Sequence, residues 1–312
     1  MGEEEGSEYR QWDEMIPDAL GIIFKKLNLE DILTLIPRVC KTWGKAVQGP
    51  YCWQEIDIDE WSTVCQPDHV ERMLRLLISR SSGSLRKLNV SRVNDDQIFA
   101  FIAEHAGSLQ SLILRRSEIS DSIVEQVAGK LSTLTYLDLS YCCQIGTQAI
   151  EAVGKNCKLL SSFCWNMHPL GVAYKPSHVD EAHAIAHTMP KLKQLELAYL
   201  RINDESVLEI LSGCPKLESL DLRGCWDVHL DKKFLKEKHP KLEVLGPQVI
   251  MGVFERRSYF DDYYSDSDFS DYDYMDYSDD ESFDGMWDDD GLELRIYEGP
   301  DNMYDFGWPP SP

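Results

Sequence analysis

The stretch CPKLESLDLRGC, residues 214–225, sets two cysteines eleven positions apart around a leucine-rich centre. It reads as a metal clip, a disulfide loop, or one line of a repeating text. The pattern inside it, Leu-x-x-Leu-x-Leu, decides the matter because it recurs. Copies begin at Leu85, Leu109, Leu134, Leu160, Leu192, Leu217 and Leu242, at intervals of 24, 25, 26, 32, 25 and 25 residues. The second slot of each holds Leu88, Leu112, Leu137, Phe163, Leu195, Leu220 and Leu245. Stepping back 32 residues from the first copy reaches WQEIDI, where Trp53, Ile56 and Ile58 make an eighth, leading copy. The cysteines occupy slots of this text. Where Cys214 stands, other copies carry Ala106, Leu131, Cys157, Met189 and His239, and where Cys225 stands they carry Val93, Ser117, Cys142 and Leu200. Slots that accept Val, Leu or Met are packing sites rather than ligand sites.

Leucines at this spacing and period are the signature of the leucine-rich repeat. Between the copies lie amphipathic runs such as SVLEILSG, preceded by capping signals at Val93-Asn94-Asp95, Ile119-Ser120-Asp121, Ile145-Gly146-Thr147 and Ile202-Asn203-Asp204. Each repeat is therefore a short strand and a returning helix. One unit cannot bury its own apolar face, so the units must stack. The predicted fold is α/β: a right-handed solenoid of seven to eight units over residues 53–248, with parallel strands on a concave face and helices on the convex one. At about 4.8 Å per strand the concave face is roughly 30 Å long.

Charge divides the chain differently. From Val249 to the end there are 19 acidic residues against three arginines, a net of −16 out of the total −23. The segment is predicted to be a disordered acidic, aromatic-rich tail over 249–312, matched by a short acidic leader at 1–11. Direct nucleic-acid binding is disfavoured, because phosphate contacts need clustered Lys and Arg. No apolar run suffices to span a bilayer, no secretory signal opens the chain, and the nine cysteines form no CxxC pair. A soluble protein of nucleus or cytoplasm with reduced thiols is expected.

Residues 12–53 read WDEMIPDALGIIFKKLNLEDILTLIPRVCKTWGKAVQGPYCW. Leu20, Ile23, Phe24 and Leu27 fall at i, i+3, i+4, i+7, one face of a first helix with Pro17 in its opening turn. A second apolar run, Leu29 to Ile36, should stop at Pro37. A third holds Val39, Cys40, Trp43 and Val47 and ends at Gly49-Pro50. So few residues cannot hide so many large apolar side chains, and some must be covered by a partner or by the first repeat. The order Ile16-Pro17, Leu20, Ile23-Phe24, Leu27, Val39-Cys40-Lys41, Trp43 and Trp53 resembles the F-box, with Ile16 where that pattern has leucine. Together the two parts resemble plant F-box proteins with a short leucine-rich-repeat array. The resemblance implies a three-helix F-box at 12–52 that docks on the Skp adaptor of a cullin-based SCF ubiquitin ligase. It also implies that Ile16, Pro17, Leu20, Ile23, Phe24, Leu27, Val39 and Trp43 carry the adaptor contact or its supporting core. The repeats would then hold a protein substrate.

Residues flanking the inward slots of each strand should face the concave side. Asn89, Ile113, Arg115, Tyr136, Asp138, Glu196, Asp221 and Arg223 are the candidate substrate contacts, with Ile113 and Tyr136 as an apolar anchor and Arg115 beside them. The 32-residue interval hides an insertion near 166–178, expected to project as a loop. His183 and His187 follow it at metal-ligand spacing, but His183 aligns with Leu208 of the next copy. It is read as packed, and no metal or other cofactor is expected. A rival function comes from the tail, since repeats followed by acidic sequence resemble histone-binding nuclear chaperones. No phosphate-cradling glycine loop, HExxH or GxSxG occurs, so a non-catalytic protein is expected.

Overall fold

The computed structural model describes residues 12–168, 177–230 and 232–247. The leader at 1–11, the centre of the insertion at 169–176 and the acidic segment from 248 onward lie outside the described residues. All described residues belong to the first of two units, Met1–Val249.

Eight strands follow one another in a single parallel sheet whose spatial order is the sequence order. They are β1 (Glu55–Asp57), β2 (Lys87–Ser91), β3 (Ser111–Arg115), β4 (Tyr136–Asp138), β5 (Ser162–Cys164), β6 (Gln194–Glu196), β7 (Ser219–Asp221) and β8 (Glu243–Leu245). The leading copy is thus a true strand, with Ile56 opposite Leu88. Second-slot residues pair across the sheet, Leu88 with Leu112, Leu137 with Phe163, Leu195 with Leu220, and all are buried. The last copy departs from expectation. Leu220 pairs with Val244 rather than Leu245, so β8 is set one residue short and Leu245 turns outward, 41% exposed. A slip of one residue moves a side chain to the other face of a strand.

Helices fill the intervals. Four short helices of the N-terminal region, α1 to α4, precede β1 and are given their ranges below; after β1 come α5 (Asp59–Val64) and α6 (Pro67–Arg80). Further along lie α7 (Asp96–Glu104), α8 (Asp121–Val127), α9 (Thr147–Asn156), α10 (Val179–Thr188), α11 (Asp204–Gly213) and α12 (Lys232–Lys238). From α7 to α11 each packs on the next. Asp95, Ser120 and Asn203 cap their helices as the sequence suggests. Thr147 does not: Gly146 is the cap residue, and its N–H donates instead to Asp121 Oδ1 of the preceding repeat at 2.6 Å. The same device recurs, with Ser120 N–H donating to Asp96 at 2.8 Å and His229 N–H to Asp204 at 2.7 Å. An aspartate in the first turn of one helix thereby holds the entrance of the next unit.

The cysteine slots prove to be joints between repeats. Cys142, Cys225, Cys157 and Cys214 are buried, and each thiol donates to a carbonyl of the preceding unit, Leu114, Leu197, Leu131 and Met189, at 2.9–3.4 Å. Burial pushes their pKa values up, to about 12 for Cys142, Cys157 and Cys225 and about 11 for Cys214. All nine cysteines are free.

The N-terminal region holds four short helices instead of the expected three: α1 (Pro17–Phe24), α2 (Leu29–Thr34), α3 (Ile36–Val39) and α4 (Lys41–Gln48). Pro37 does not stop a helix but sits in the first turn of α3, where its missing N–H is not needed. Leu27 lies beyond α1, and Cys40 is the extended cap of α4. Trp53, 1% exposed, donates its indole N–H to Val47 O at 2.6 Å and lies beneath the Arg80 guanidinium, which joins the helices to the first repeat. No helix among the described residues is long and apolar enough to cross a membrane.

Candidate docking surfaces

The structure divides the eight N-terminal candidates. Leu20 and Phe24 are interior, Leu20 wholly and Phe24 with its ring 4.9 Å from that of the half-buried Trp43. Gly21 lets α1 approach the chain at Tyr51, since an added Cβ would lie 2.8 Å from Tyr51 Cβ. On the outside lie Ile16, Pro17, Ile23, Leu27 and Val39, with Ile16 66% and Val39 57% exposed. Two residues that the pattern did not flag, Ile22 and Leu35, are exposed as well, at 51% and 56%. Six large aliphatic side chains in water within 24 residues are too many for a finished surface. Their neighbours Leu20, Phe24, Ile32, Leu33 and Ile36 already complete the small core.

The strand face is more closed than its composition suggests. Asp138 and Asp221 are buried, 2% and 3% exposed, as are Ser91, Ser140, Ser162 and Cys164. Their polar groups are joined across repeats. Arg115 Nε donates to Asp138 Oδ2 at 2.7 Å, Asn89 to Asp57 at 2.9 Å, and Asn166 to Glu196 at 2.9 Å. Arg223, just past β7, grips Asp221 at the end of that strand through two nitrogens at 2.6–3.0 Å. Burial alone would lower the Arg115 pKa, but the Asp138 carboxylate outweighs it and holds the guanidinium above its ordinary value. Ile113 stands opposite Asp138, not Tyr136, and the Tyr136 hydroxyl turns to Cys164 Sγ at 3.5 Å. Burial first, then that contact and nearby Asp138 and Glu196, raise the phenol above its usual range. Ile113 and Tyr136 are thus half-buried neighbours on a diagonal, each bordering an acidic network. Among the candidates, the side chain most open to solvent is that of Arg223.

The family model of the F-box domain matches residues 12–55, and a leucine-rich-repeat model matches 130–154. The chain is 55% identical over 99% of its length to the whole of F-box protein FBW2 of Arabidopsis thaliana. The chain is an F-box/leucine-rich-repeat protein. It is also 32% identical to F-box protein SKIP19 of the same plant, over 72% of this chain and 73% of that one. Among solved structures, the yeast Rad7–Elc1 complex matches with a TM-score of 0.42 and 21% identity over 56% of this chain and 44% of that one. F-box/leucine-rich-repeat proteins are typically substrate adaptors rather than catalysts.

The histidines of the F-box/leucine-rich-repeat protein fall opposite to expectation. His178 is the packed one: it is 1% exposed, accepts the Arg201 N–H at 3.1 Å and sets its ring edge-on to Trp165. His183 and His187 are on the outer side of α10, each with its side chain 57% exposed. Alignment with Leu208 misled because Leu208 is itself exposed, at 40%.

Proposed function

We propose that this F-box/leucine-rich-repeat protein is the substrate-recognition subunit of an SCF-type cullin ubiquitin ligase. It would dock on the Skp adaptor through its F-box and hold a protein substrate on its repeats, with ubiquitin transfer carried out on other subunits. The observation that carries this reading is the cluster Ile16, Ile22, Ile23, Leu27, Leu35 and Val39, exposed on a domain whose core is complete without them. Full burial of a large aliphatic side chain is worth about 1.5–3 kcal/mol, and a few central anchors of such a patch carry most of the binding energy. The strand face supports the second half of the proposal, with half-buried Ile113 and Tyr136 near Arg115 and Glu196. The rival reading, a histone-binding chaperone, leaves the apolar cluster without a purpose. The test is co-elution of the full chain with Skp on a sizing column, repeated with an Ile23→Asp, Val39→Asp double variant. Co-elution lost in the variant alone supports the docking surface. Separate elution of the unaltered chain rejects the proposal, as does unaltered binding by the variant.

A further inference from the structure

On the outer side of the repeats, the structure brings together three side chains that no leucine pattern requires. His183 and His187 share one face of α10 at i and i+4, with ring centroids 4.0 Å apart and 31° between planes. Glu209 reaches them from α11, the helix of the next repeat, with Oε1 2.8 Å from His183 Nδ1 and 3.7 Å from His187 Nδ1. The approach is fixed by backbone packing. At Gly213 an added Cβ would lie 2.0 Å from Ala186 O, so α10 and α11 touch where only a glycine fits. One coordinating atom from each of the three side chains lies within 4.8 Å of the other two.

We propose that His183, His187 and Glu209 form a binding site for a divalent transition-metal ion, zinc by preference, that bolts α10 to α11. Two imidazoles and a carboxylate are the donor set that borderline metals select, and solvent completes the coordination. Zinc bonds of roughly 2.1 Å in tetrahedral array put ligand atoms about 3.4 Å apart, so the three donors need close by little more than an ångström. Side-chain rotations at this exposed site supply that movement without shifting either helix. The site is independent of the adaptor surface and does not rest on the proposed ligase role. It makes the repeats on either side of the α10–α11 junction stiffer when the ion is bound.

The experiment is calorimetric titration of the reduced full chain with zinc chloride, alongside His183→Ala, His187→Ala and Glu209→Gln variants and the double histidine variant. The cysteines and the acidic segment from 249 onward are common to all of them, so background binding is shared. The unaltered protein should show one saturable site, at least tenfold weaker in each single variant and absent in the double. Zinc should raise the melting temperature of the unaltered chain and not that of the double variant. Copper(II) bound by the unaltered chain should show nitrogen hyperfine splitting in electron paramagnetic resonance, lost in the double variant. These positions are on the surface, and circular dichroism checks that each variant is folded. Equal zinc affinity and stoichiometry in the unaltered and double-variant chains would overturn the proposal, because the ion would then belong to thiols or to the acidic segment.

Discussion

Ile23 and Phe24 are adjacent in the chain and opposite in role: 41% exposed for the first, 3% for the second. Phe24→Ala removes a ring packed on Trp43 and should cost about 3–5 kcal/mol of folding stability, read from urea denaturation. Ile23→Asp should leave the urea midpoint in place and weaken Skp binding by tenfold or more, measured by calorimetry. The reverse outcome, a stable Phe24→Ala protein that no longer binds, would move the contact inside the bundle. Helical spacing put both residues on one face in the sequence. It could not separate them, because whether a neighbour covers a side chain depends on residues such as Trp43 that arrive from another helix. The buried cysteines give a second prediction at this scale. Their folded pKa values lie above the ordinary 9.0, at about 11 to 12, so the folded state keeps protons that the unfolded state releases. The stabilisation is full below pH 9.0 and is lost as pH rises through about 12. Alkaline unfolding should therefore begin above pH 9.0, and a Cys142→Val, Cys157→Val, Cys225→Val protein should show a shallower decline over that range.

Strands and helices were legible wherever a period spoke for them. Seven leucine copies and one leading copy became eight strands, since the inward slots of a stacked repeat must be apolar. The departures occur where a neighbour, not the local sequence, decides the element. Thr147 looks like a cap by type, yet Asp121 of the previous repeat already satisfies the Gly146 N–H. β8 is displaced by one residue because its ladder with β7 sets the register. The strands β2, β3, β4, β6 and β7 are each followed by a left-handed residue: Arg92 at φ 60°, Arg116 at 53°, Tyr141 at 66°, Tyr199 at 63° and Gly224 at 74°. Four of these five are not glycine, so no glycine signal marks the position. At Gly224 the requirement is doubled, since an added Cβ would lie 2.3 Å from the Tyr199 ring. A test at the level of helices is Gly213→Ala. Its methyl group would meet the Ala186 carbonyl at 2.0 Å, and backbone cannot rotate away as a side chain can. The helices must part, and a loss of about 1–3 kcal/mol is expected in chemical denaturation. A neutral result would show that α10 and α11 have slack the structure does not.

Across the molecule, the apolar cluster of the F-box and the polar network of the strands differ in kind, and that difference predicts separable functions. The polar network was the least legible part of the chain. Its partners, Arg115 with Asp138 and Asn166 with Glu196, are 23 and 30 residues apart and meet only because the repeats stack. Read singly, these residues looked like an ordinary solvated surface. Their pairing also decides which substitution can probe substrate capture. Arg115→Ala would strand the Asp138 carboxylate, 2% exposed, and confuse lost binding with lost stability. Ile113→Lys is the cleaner probe, because it replaces the apolar side chain by an ammonium opposite Asp138 in the ladder and leaves the Arg115–Asp138 pair in place. Under the proposed function, this protein should keep its Skp affinity and urea midpoint. Proteins that accumulate on the unaltered chain under proteasome inhibition should be depleted from it at least tenfold, as measured by quantitative mass spectrometry. The Ile23→Asp protein should show the converse, with its captured proteins retained and Skp lost. If Ile113→Lys retains the same proteins as the unaltered chain, substrates are held elsewhere than on the strand face.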